Sequence, residues 1–216
     1  MGGANLGGVT SLESFPVPAM SFYRDLKEDN SREWWLANKA RYERDVRDPF
    51  RAVAALLADE FGEAKLFRPN RDVRFSADKS PYKTHQGLFV QVAPACGFYC
   101  EVNSTEAIAV GGFYEARSEA LARVRAGMAD DESGPVLEAL LSELTGAGWL
   151  NSSEQLRTAP RGYTRDHPRI ELLRFKTLGV EREIVAEGVD EFAAEVAQAW
   201  RSVAALIDWF AVRLRD

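Results

Sequence analysis

The 216-residue chain is 46% apolar and 28% charged, with five Trp and twelve Phe, which excludes a disordered chain and allows one sizeable core. A formal charge of -6 and a pI near 5.2 argue against a bulk binder of nucleic acid or of an acidic membrane. Two cysteines, Cys96 and Cys100, are too few for a disulfide framework, and no stretch reaches the apolar length of a membrane span.

The opening MGGANLGG has no basic region followed by an apolar run, so reduced thiols in a cytoplasmic protein are expected. Residues 1–17 are Gly-rich and aperiodic and read as a flexible N-terminal segment, leaving 18–216 as one domain. A first helix is expected from about Ser21, with Phe22, Tyr23 and Leu26 on its apolar side. Asn30 or Ser31 is placed to cap a second, carrying Trp35, Lys39, Tyr42 and Val46. Asp48-Pro49 reads as an N-cap and first position for a third helix, striped by Phe50, Val53, Leu57 and Phe61 and stopped by Gly62.

The period then changes to two. Leu88–Val92, Phe98–Val102 and Glu106–Val110 read as an antiparallel meander that Gly111-Gly112 ends. Two further helices are expected over Ser118–Met128 and from about Gly134 or Pro135 to Leu144, the latter with Val136, Leu137, Leu140, Leu141 and Leu144 inward. Pro160–Tyr163 reads as a turn, and His167-Pro168 as the entry to a short helix. A strand is expected within Phe175–Glu183. The closing helix, about 189 to 214, carries an apolar stripe through Phe192, Val196, Ala199, Val203, Phe210 and Leu214. Helical stripes flanking alternating runs define an α+β fold, a mostly antiparallel sheet with helices packed against it.

Positive charge is segregated. Arg68–Lys83 holds five basic and two acidic side chains, net +3, and Arg157–Lys176 holds six and two, net +4; the total of -6 leaves -13 for everything else. Arginine recognises carboxylate or phosphate through a planar, bidentate fork, so these regions are the candidate anion site. Its binding residues are Arg68, Arg71, Arg74, Lys79, Tyr82 and Lys83 from the first region and Arg161, Arg165 and Lys176 from the second. Asp72, Asp78, Asp166 and His167 are the candidate catalytic groups, with Glu101 a further acid–base side chain. The alternative is that Asp72 and Asp78 pair with their basic neighbours in a structural ion network. Neither the Asp72–Asp78 spacing nor the scattered His85, His167 and cysteines forms a metal motif. No dinucleotide fingerprint, phosphate loop or nucleophile elbow identifies a cofactor or reaction.

The run Arg68, Arg71, Asp72, Arg74, Phe75, Asp78, Lys79 and Tyr82, with Pro81 and Lys83 completing SPYK, resembles the hallmark of the bacterial domain of unknown function 2461 family. The resemblance extends to Asn30, Trp35, Gly111-Gly112, Pro160, Gly162, His167, Pro168 and Lys176, nearly the whole chain from Phe22 to the final helix. One departure is Phe113-Tyr114-Glu115-Ala116-Arg117, where such proteins have an aromatic and then proline. The resemblance implies one intact domain focused on Arg71–Lys83, and no established reaction. Three classes of function remain: a small anionic ligand, phosphorylated or not, bound or acted on at the basic site; a structural or protein-interaction domain with internal salt bridges; and nucleic-acid binding, which the acidic total opposes.

Overall fold

A computed structural model describes residues 12–72, 74, 78–114, 116 and 118–215. The fold is α+β: a six-stranded, mostly antiparallel sheet in the order β1-β2-β3-β4-β6-β5, flanked by helices. Its strands are β1 (Ala64–Leu66), β2 (His85–Ala93), β3 (Cys96–Asn103), β4 (Ala107–Phe113), β5 (Leu150–Asn151) and β6 (Leu178–Glu183). Connections of two and three residues join β2, β3 and β4, which only hairpins allow. The β4–β6 and β5–β6 pairs are antiparallel, with Gly111 opposite Val180 and Gly112 opposite Gly179.

The chain divides into two compact units. The first holds the described residues up to Leu88, with Glu101–Ala107 and Ile184–Glu195. It opens with α1 (Val17–Glu28), four residues earlier than the apolar pattern suggests, because Pro18 suits the first helical turn. Residues 1–11 of the expected flexible segment lie outside the described residues; Phe15 is fully buried, 5.6 Å from the Phe50 ring and 4.9 Å from Phe192. Ser31 caps α2 (Arg32–Tyr42), its hydroxyl accepting from the Trp34 amide. The boundary at Asp48-Pro49 differs from expectation. A π-helical turn, Glu43–Arg47, carries α2 without interruption into α3 (Asp48–Phe61), and the Asp48 amide donates to the Glu43 carbonyl. The wider turn accommodates Pro49, which has no amide hydrogen, so Asp48 is helical and pairs with Arg51 at 2.8 Å instead of capping. Phe22, Trp35, Tyr42 and Tyr82 form one aromatic cluster.

The second unit holds Phe89–Cys100, Ile108–Glu183 and Val196 onward. Here α4 (Ser118–Ala129) and α5 (Ser133–Gly146) follow the expected spans, with Val124, Met128, Leu137 and Leu144 buried. Val136, expected inward, is 51% exposed. β4 runs through Gly111-Gly112, where an end was expected. A Cβ on Gly111 would stand 2.6 Å from a Val203 methyl, and one on Gly112 would stand 2.2 Å from the Leu178 carbonyl oxygen. These glycines allow close approach of a helix and of β6. A short α6 (Ile170–Leu173) precedes β6. The closing helix is two: α7 (Val189–Ser202) and α8 (Ala204–Leu214) meet at Val203, whose amide bonds the Trp200 carbonyl three residues back while the Ser202 hydroxyl caps Ala199. Phe210 on α8 is fully buried, edge-on to Phe113 at 4.9 Å. Cys96 and Cys100 are unbridged and buried, and burial pushes the Cys96 thiol up to about 12. Among the described residues, no helix is long and apolar enough to cross a membrane.

Candidate functional site

The first basic segment is a closed loop. The Arg71 amide donates to the Pro81 carbonyl at 2.9 Å and the Lys83 amide to the Pro69 carbonyl at 2.8 Å, so Asn70 and Tyr82 stand opposite as an antiparallel bridge. Asn30 holds the loop's base: its Nδ2 donates to the Tyr82 carbonyl at 2.9 Å, and its Oδ1 accepts from the Tyr82 amide at 3.2 Å. The Tyr82 ring, 7% exposed, lies parallel to Trp35 at 4.1 Å. Tyr82 is therefore an anchor, with its ring committed to the core.

Within the loop the guanidinium groups face the loop's own carboxylates. Arg71 donates to Asp78, which also accepts from the Ser80 amide at 2.8 Å and the Ser80 hydroxyl at 2.6 Å. Ser80 first and Arg71 second pull the Asp78 carboxyl down to about 2. Arg74 grips Asp72 in a two-pronged pair, Nη2 to Oδ2 at 2.6 Å and Nε to Oδ1 at 2.9 Å, and holds that carboxyl below its ordinary value. Both pairs are exposed to water, which screens them, so they orient the loop more than they stabilise the fold. Lys83 lies over the Phe67 ring at 4.9 Å, and burial, then the nearby Arg68 and Lys65, lower its ammonium. Lys79 is exposed. Arg68 lines a cavity of about 130 Å³ with Arg47, Phe67, Tyr42 and Gln86. In sequence, Arg71, Val73 and Phe75 alternate with Asp72 and Arg74 as in an extended run, and Val73 and Phe75 lie outside the described residues.

One pair near this loop escaped the sequence reading. His85 Nε2 is 3.9 Å from Glu101 Oε2, across adjacent strands. Partial burial lowers the imidazole, which Glu101 opposes and Lys83 and Arg71 reinforce. The signal was available only as two polar residues on neighbouring strands, and register is needed to join them.

The second basic segment is organised differently. Pro160–Tyr163 makes the expected turn, with the Tyr163 amide donating to the Pro160 carbonyl. His167 Nδ1 accepts from the Arg169 amide at 3.1 Å and its ring stands edge-on to Tyr163, so it closes the turn before α6. The Thr164 hydroxyl lowers the Asp166 carboxyl, which is fully exposed. Lys176 pairs with Glu154 at 2.6 Å. Arg169 reaches the end of α4 and donates to the carbonyls of Met128, Ala129 and Asp130 and to Asp131, satisfying helix-terminal acceptors that have no partner within the helix. Arg174 donates to the Leu156 carbonyl at 2.7 Å and to Glu171 at 3.1 Å. Arg157, Arg161 and Arg165 make no ion pair or hydrogen bond among the described residues.

The structure thus brings Arg71 to Asp78, Arg74 to Asp72, and Arg165 to Arg157 and Arg174 around a cleft of about 330 Å³. Arg157 and Arg174 were not singled out in the sequence. The described residues of Arg68–Lys83 belong to the first unit and Arg157–Lys176 to the second. Among the described residues, no group of three or more His, Cys, Asp and Glu side chains is arranged to hold a metal.

An α+β sheet protein with an ion-paired arginine loop is what these residues define, and residues 18–209 match the conserved hypothetical protein family DUF2461. The chain belongs to that family. No curated protein and no solved structure matches it.

Proposed function

We propose that the chain is a structural or protein-interaction domain in which Arg68–Lys83 is an internally ion-paired loop. The observation that supports this reading is the closure of Arg71 on Asp78 and of Arg74 on Asp72: forks that would take up a ligand's oxygens already hold carboxylate oxygens. Hydrogen exchange of wild type and Arg71→Gln, with and without phosphate, tests it. The expected result is faster exchange of the Arg71 and Lys83 amides in the variant and no protection of the wild-type loop by phosphate. Protection of those amides by phosphate in wild type, lost in Arg71→Gln, would overturn it.

A second reading, binding of a small anion, rests on a different observation. Arg157, Arg161 and Arg165 make no ion pair among the described residues, unlike Arg71 and Arg74. In the first unit the residues proposed for anion binding are Arg68, Arg71, Arg74, Lys79, Tyr82 and Lys83, served by Asp72 and Asp78; in the second they are Arg161, Arg165 and Lys176, served by Asp166 and His167. Tyr82, whose ring is stacked, and Lys176, which is paired, are the weaker members.

A further inference from the structure

The geometry points to a binding site for a small phosphomonoester in the cleft lined by Arg157, Thr158, Arg165, Ile170, Glu171 and Arg174; this rests on the small-anion reading and gives it a place and a ligand class. The cleft measures about 330 Å³, at the lower end of the size that holds small molecules. Its walls are fixed by backbone pairing. The Leu156 amide donates to the Arg174 carbonyl at 2.7 Å, the Lys176 amide to the Glu154 carbonyl at 2.8 Å, and Gln155 bridges Phe175. Arg174 is held at its root by the Leu156 carbonyl and on one side by Glu171.

Three arginines and one glutamate line the cleft, an excess of two positive charges. The nearest other acid in sequence, Asp166, does not line the cleft. Like charges in one cleft repel, and a dianion removes the excess with two bidentate forks, which suits the three terminal oxygens of a phosphate. Thr158 adds a polar residue to the lining, and Ile170 and Ala159 add apolar ones. Phosphate oxygens on the arginines and a short apolar body on Ile170 describe a phosphomonoester better than a bare inorganic ion.

Calorimetric titration of the full chain with inorganic phosphate, phenyl phosphate and a nucleoside triphosphate tests this, together with Arg157→Gln, Arg165→Gln and, as a control, Arg182→Gln, an exposed position on β6 that does not line the cleft. Phenyl phosphate should bind more tightly than phosphate. Each cleft variant should weaken it roughly 10- to 100-fold, the range for a hydrogen bond between charged groups, while Arg182→Gln leaves it unchanged. Arg157 and Arg165 are exposed, so their variants keep the fold, which far-ultraviolet dichroism checks. No heat and no melting response to any anion would sink both the small-anion reading and this site. Binding that survives in Arg157→Gln and Arg165→Gln would overturn the site alone. Binding of the triphosphate in preference to phenyl phosphate would overturn the ligand class.

Discussion

The two hydrogen bonds from Asn30 to the Tyr82 backbone give a sharp test of how the arginine loop is held. Both bonds are partly buried, so Asn30→Ala leaves a sheltered amide and carbonyl of Tyr82 without these partners. A net contribution of about 0.5–1.5 kcal/mol per bond puts the cost at roughly 1–3 kcal/mol. For a chain of 150–250 residues each kcal/mol moves the melting temperature by roughly 2–4 °C, so the expected fall is about 2–12 °C. Asn30→Asp separates polarity from volume: it keeps the acceptor for the Tyr82 amide but turns an acceptor toward the Tyr82 carbonyl. At neutral pH it should destabilise at least as much as alanine. Ser31→Ala serves as the control, because it removes the α2 cap, at roughly 0.5–2 kcal/mol, without touching Tyr82. Calorimetry measures the melts, and amide exchange shows whether Tyr82 opens in the Asn30 variants alone. A melting temperature for Asn30→Ala within about 1 °C of wild type, with Tyr82 exchange unchanged, would refute the clamp.

Phe210→Ala should cost about 3–5 kcal/mol, since a fully buried ring at 4.9 Å from Phe113 is removed, while Val212→Ala, at a position 72% exposed, should change stability little; equal urea midpoints for the two would contradict the placement of α8. Acid stability should carry the signature of Asp78. Its folded value, about 2, lies below the unfolded carboxylate value near ~3.9, so its contribution is complete above about pH 4 and disappears as pH falls through about 2. The stability difference between wild type and Asp78→Asn, measured by acid titration of denaturant midpoints, should shrink over that window, and a difference independent of pH would count against the ionised pair.

Much of the fold was legible because local chemistry and global packing agree. Gly62 ends α3, Ser31 caps α2, and alternation marks β2, β3 and β4. The sequence reading erred where a backbone device left the side-chain stripe intact. The apolar row through Val203 continues across the break between α7 and α8, so periodicity shows one helix where the hydrogen bonds show two. The π turn before Pro49 is hidden in the same way, since Asp-Pro reads as a helix start whenever the preceding turn is assumed regular. In the candidate site, the carboxylate partners of Arg71 and Arg74 sit within seven residues and two residues, close enough to be weighed from sequence. The partners of Arg169 are carbonyls about forty residues away at the end of α4, which no local pattern announces. The exposure of Arg157 and Arg165 depended on which neighbouring acids were already engaged, and that requires coordinates.

Gly111 and Gly112 are adjacent and both crowded, yet they face different evolutionary prospects. The obstruction at 111 is chiefly a side chain, a Val203 methyl, with the Ile207 methyl 3.5 Å away. A lineage that first shortens position 203 to alanine opens a route to alanine at 111, so the two sites can drift as a correlated pair. At 112 the obstruction is backbone, the Leu178 carbonyl oxygen at 2.2 Å and the Gly179 Cα at 2.6 Å. No exchange of residue type removes a carbonyl, so glycine there has no compensating partner and is fixed for as long as β4 and β6 keep their register.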